Sequence, residues 1–110
     1  MSEPDQRAAQ AVRESVQTEL ERVVRRWQQL PLDHALCAVP TVRALVQTLA
    51  DDVARRLGMP PERVPDLGPG VLMDQLRVMV YDHTHAGGGG TGLDEADLAA
   101  RLAELRRCLP

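Results

Sequence analysis

The chain contains no lysine, isoleucine, asparagine or phenylalanine, so all 13 of its basic residues are arginine. The four missing residues share A/T-rich codons, which points to a GC-rich, bacterial genome. Codon pressure of that kind makes the arginine bias a poor sign of phosphate recognition. Positive charge is not in excess either. Sixteen acids against 13 arginines leave a net charge of −3, whereas nucleic-acid binding relies on a basic surface that releases counterions. Nucleic acid is therefore not expected as a partner. The arginines are interleaved with acids, Asp51 with Arg55, Asp52 with Arg56 and Asp97 with Arg101. That i,i+4 spacing is typical of a solvated helix face.

Long apolar runs are missing too, so no membrane association is expected. The opening "MSEPDQRAAQ" has acids before its first arginine and no apolar core, unlike a signal peptide. The only cysteines are Cys37 and Cys108, far apart in the chain. Without an export signal, the expectation is a cytoplasmic protein with two reduced thiols. Cys37 is expected in the core, since free cysteine is commonly buried. Serine occurs only at Ser2 and Ser15, which leaves a Ser-His-Asp nucleophile without a home.

What is present reads as helix. A chain of 110 residues, 44% hydrophobic and 26% charged, fits one soluble domain with a modest core. No segment alternates like a strand. The fold class predicted is an all-α, single-domain four-helix bundle spanning 1–110. Its helices fall at about 4–30, 41–57, 69–84 and 94–109, with a short extra helical turn near 33–38. Residues 1–3 and the glycine loop 86–92 are expected to be flexible.

Each boundary has a local reason. In the first helix Ala9, Val12, Val16, Leu20, Val23, Trp27 and Leu30 recur every three or four positions, the helical period. Ser2 or Glu3 opens it and Pro31 stops it. Asp33 is placed to cap the short turn, which ends before Pro40. The second helix would bury Val42, Leu45, Val46, Leu49, Val53 and Leu57, with Gly58 as its left-handed terminator. Prolines at 60, 61, 65 and 69 make the next connection stiff, and Pro69 suits a first helical turn. Leu72, Met73, Leu76, Met79 and Val80 then share one arc. Asp94 at the cap and Asp97 three residues on open the last helix, whose stripe is Leu98, Leu102, Leu105 and Leu109.

Chemistry is suggested most by "DHTHAGGGGTG", residues 82–92. A phosphate loop would need a supporting cation, but the helix it opens begins with Asp94, Glu95 and Asp97, whose charge opposes an anion there. A zinc site is the sharper alternative, drawn from His83, His85, His34 and Cys37. Within a helix, however, His83 and His85 would point about 160° apart. His83 would then sit in the core stripe and hydrogen-bond a terminal carbonyl. Consecutive glycines have no steric bias and lose the most entropy on ordering, so a flexible joint is the expected reading. A four-helix chain of this size invites comparison with acyl carrier proteins. The residue that would carry the attached group is Gln75, in "MDQL", and it cannot do so.

With no catalytic constellation, the function expected is a protein–protein interaction module that self-associates, a homodimer being the simplest case, with no cofactor required. The alternative is a metal- or small-molecule-binding protein. Two surfaces are candidates for the interaction. Ala8, Ala9 and Val12 lie on the first helix, which at about 40 Å outruns partners of about 24 Å and leaves residues 4–14 without an intramolecular partner. Val71, Val78 and Tyr81 lie on the polar side of the third helix.

Overall fold

A computed structural model describes residues 3–87 and 92–110. The chain is all-α, with four helices and no strand among the described residues. Helix α1 spans Glu3–Gln29, α2 Leu32–Arg56, α3 Leu72–His85 and α4 Glu95–Cys108, with a 3-10 turn at Pro69–Val71 before α3. The chain divides into two compact units. One contains Met1–Gln29 and Asp94–Pro110, the other Leu30–Leu93.

In the first unit α1 packs against α4. The α4 stripe Leu98, Leu102, Leu105 and Leu109 is buried as predicted; of the α1 stripe Val16, Leu20 and Val23 are buried, joined by Val24, while Ala9, Val12 and Trp27 are half-buried. Two polar contacts fix the direction. Arg106 Nε lies 3.4 Å from Glu19 Oε2, and Arg26 donates to the Pro110 carbonyl. Both residue numbers rise together, so the helices run parallel. Eleven residues separate Glu95 from Arg106, which starts α4 level with about Ala8. Helix α1 therefore projects past α4 by only about five residues, a shorter stretch than 4–14, because α4 lies beside the middle of α1. Helix α4 opens with the predicted capping box: Asp97 N donates to Asp94 Oδ1 at 2.7 Å, and Asp94 N to Asp97 Oδ2 at 3.2 Å.

The second unit departs from the expected helix boundaries. The turn near 33–38 and the helix at 41–57 are one 25-residue helix that passes through Pro40. Pro31, not Asp33, is its cap, and Asp33 lies in its first turn. Proline in a helix forfeits one hydrogen bond and crowds the carbonyl four residues back. Here that carbonyl belongs to Leu36, which is exposed to solvent. The buried stripe Ala35, Ala38, Val42, Leu45, Val46, Leu49 crosses Pro40 without a break, so packing holds the helix together. At the far end Gly58 takes φ +68. Its N–H reaches Arg55 O, and Met59 N reaches Ala54 O at 2.8 Å, the paired bonds of a Schellman cap. Leu57, expected in the core, is the cap residue and is 55% exposed.

The proline-rich connection then runs back along α2. The Gln47 amide grips it from both sides, donating to Glu62 O at 3.0 Å and accepting from Val64 N at 2.9 Å. Gln75 donates to Pro65 O at 2.9 Å, and Arg43 pairs with Asp66 at 3.4 Å. This return lets α3 pack on α2 in the same direction. Leu72, Met73, Leu76 and Val80 form its buried face, and His83, late in α3, meets Asp52, late in α2.

Candidate functional site

The most concentrated polar chemistry in the chain surrounds Asp52. Counting in threes and fours from Leu45 and Leu49, position 52 falls on the buried stripe of α2, and its carboxylate is almost fully enclosed. Asp52 Oδ2 accepts from Leu93 N at 2.9 Å and lies 3.3 Å from His83 Nε2. Arg55, one turn along α2, donates to Oδ1. Burial alone would push this carboxyl up. The Leu93 N–H, Arg55 and His83 outweigh it and hold the carboxyl below the usual range. Arg56 completes the cluster by donating to His83 O at 3.2 Å and to Leu93 O.

Residues 88–91, on which most of the expected flexible loop falls, lie outside the described residues. Leu93, just beyond the stretch, is tied through both its N–H and its carbonyl. Gly92 beside it takes φ +99, and a Cβ there would stand 2.6 Å from Asp52 Oδ1. Gly92 is a glycine because the carboxylate comes against its backbone. The Asp52–Arg56 surface pair read from spacing is not formed, since Asp52 faces inward and pairs with Arg55. Asp51 accepts from Gln47 at 2.8 Å. The available signal was the helical count itself, which puts position 52, rather than Val53, on the stripe.

The candidate zinc ligands are dispersed. His83 is buried in the Asp52 cluster, with Nε2 of its ring against the carboxylate. His85, two residues on, is exposed, with Nδ1 2.8 Å from Tyr81 O and its ring stacked on Tyr81 at 4.0 Å. His34 and Cys37 lie near the start of α2 and are exposed. Eighteen residues of helix, about 27 Å, separate His34 from Asp52, and so from the His83 ring. Among the described residues no group of three or more His, Cys, Asp or Glu side chains is arranged to hold a metal ion. Cys37 is not a core residue, because it falls off the Ala35–Ala38–Val42 stripe. An Asp–His pair can orient an imidazole for proton transfer. The His83 side chain is fully enclosed, so in this conformation the pair organises backbone and offers no surface to a substrate.

The interaction candidates also separate. On α1, Ala8 is exposed while Ala9 and Val12 are half-buried. On the other unit Val71 is half-buried, and Val78 and Tyr81 are 52% and 61% exposed. Among the described residues the exposed large hydrophobic side chains are Leu32, Leu36, Leu57, Met59, Leu67, Val78 and Tyr81. All fall within Leu30–Leu93. Leu32 and Leu36 share the outer face of α2 only because the helix continues through Pro40, a continuity that the proline masks in the sequence. No known family model, curated protein or solved structure matches the chain.

Proposed function

We propose that this chain is a helical protein–protein interaction module that self-associates through the Leu30–Leu93 unit. One observation carries the reading: among the described residues the exposed large apolar side chains all belong to that unit, and Val78 and Tyr81 are neighbours on one helix face. Val78 and Tyr81 are separated by three residues on α3, directly opposite the buried Leu72–Leu76–Val80 face. Single exposed apolar residues are ordinary, but contiguous ones mark contact surfaces. Tyrosine is among the residues enriched there, since it adds contact area for few rotatable bonds.

The stub of α1 is a weaker candidate. Ala8, Ala9 and Val12 offer little apolar area, and α4 lies level with most of them. Sedimentation velocity over a wide concentration range tests the reading. Self-association that weakens in the double variant Val78→Glu, Tyr81→Glu, with helicity retained, is the expected outcome. A wild-type chain that stays monomeric at all concentrations would overturn it.

A further inference from the structure

The outer face of α3 is more specific than an apolar patch. Asp74, Val78, Tyr81 and His85 recur at four-, three- and four-residue steps, so they form a single ridge along the helix. All four are exposed. Their order along the ridge is acid, aliphatic, aromatic, imidazole. Two copies of such a ridge laid antiparallel about a two-fold axis, in the register that sets Val78 against Tyr81, also set Asp74 against His85. The two apolar residues meet at the centre and the two ionisable residues meet at each end. A ridge in parallel register would put Asp74 against Asp74 and His85 against His85, and would gain nothing from its charges.

The tautomer of His85 fits this arrangement. Tyr81 O can only accept, so Nδ1, 2.8 Å away, carries the proton toward it. The ring's other nitrogen is then the one left for a partner, and it donates to a carboxylate when the imidazole is protonated. Stacking on Tyr81 at 4.0 Å steadies the ring in that orientation. Asp74 has a companion in Arg77 on its own helix, 3.7 Å away and half-exposed, which holds the carboxylate on the ridge.

From this ridge we infer that the partner of α3 is a second copy of the same chain, joined by an antiparallel α3–α3 contact with Val78 on Tyr81 and Asp74 on His85 across the two-fold axis. The inference rests on the self-association reading above and adds its geometry. The two ends are symmetry-equivalent, so each ionic substitution acts twice per dimer. Exposed pairs of this kind shift binding modestly, which for two pairs amounts to about three- to ten-fold in Kd.

The test is a charge swap read by sedimentation velocity. His85→Asp sets carboxylate against carboxylate and should weaken self-association by about three- to ten-fold. Asp74→Arg should weaken it similarly. The double variant Asp74→Arg, His85→Asp restores an opposite pair at both ends and should recover the wild-type Kd. Both substituted positions are on the surface, and circular dichroism checks that each variant keeps its helices. If the wild-type chain associates but the double variant is as weak as the singles, the antiparallel α3 register is wrong while the interaction module stands. A monomeric wild-type chain would overturn both.

Discussion

Replacing Gly92 with alanine tests the Asp52 cluster at its tightest point. Two costs add. The backbone at φ +99 lies where an L side chain is strained, at about 1–2 kcal/mol. The new Cβ would stand 2.6 Å from Asp52 Oδ1, so either the carboxylate or Leu93 must move. The Leu93 N–H bond to a charged acceptor is then lost, at about 1.5–3 kcal/mol. Together Gly92→Ala should destabilise the chain by about 2.5–5 kcal/mol, a large share of the 5–15 kcal/mol typical of a domain. That corresponds to a fall in Tm of at least about 10 °C. Gly58→Ala is the control: it has φ +68 but nothing within 4 Å of its Cβ, so only the backbone cost applies. Thermal and urea unfolding followed by circular dichroism would measure both variants. Equal losses for Gly58→Ala and Gly92→Ala would show that the carboxylate does not constrain position 92.

Three further outcomes follow from the same contacts. Asp94→Ala removes the side chain that accepts from Asp97 N at 2.7 Å and should cost about 1 kcal/mol, while Glu95→Ala, outside the capping box, should cost less. The Asp52 carboxyl is held below its usual value, so its contribution to stability is present above the unfolded carboxylate value of about 3.9 and is lost as pH falls through the lower folded value. Asp52→Asn should therefore flatten the acid arm of the stability–pH curve, and an unchanged arm would contradict the assignment. Both cysteines are free and exposed, so a thiol reagent should label Cys37 and Cys108 in the native chain without denaturant. Labelling that requires unfolding would contradict this.

The sequence carried most of the fold because helix ends here are written in local chemistry. Pro31 forbids continuation, Gly58 supplies the left-handed turn, and Asp94 with Asp97 forms a box whose two bonds are both present. Proline misled at position 40, where its local cost is real but a buried stripe on both sides outweighs it. The Asp52 cluster was not legible for a different reason. Its partners Leu93 and His83 are 41 and 31 residues away, and an acid among arginines reads as a surface pair by spacing alone. The parallel course of α2 and α3 depends on Gln47 and Gln75 holding backbone atoms of the return segment, contacts that leave no periodic trace. Val78 and Tyr81 were legible as apolar residues on a polar face, since one helix's geometry decides that. Leu32 and Leu36 became visible only once α2 was continuous.

Self-association through the outer face of α3 is tested most directly by the mass of the chain in solution. Sedimentation velocity on the wild type, across concentrations from low micromolar upward, should show a mass rising from one chain toward two. The Val78→Glu, Tyr81→Glu variant should stay at one chain over the same range with unchanged helicity. A wild type that remains at one chain throughout, or a variant that associates as the wild type does, would contradict the account.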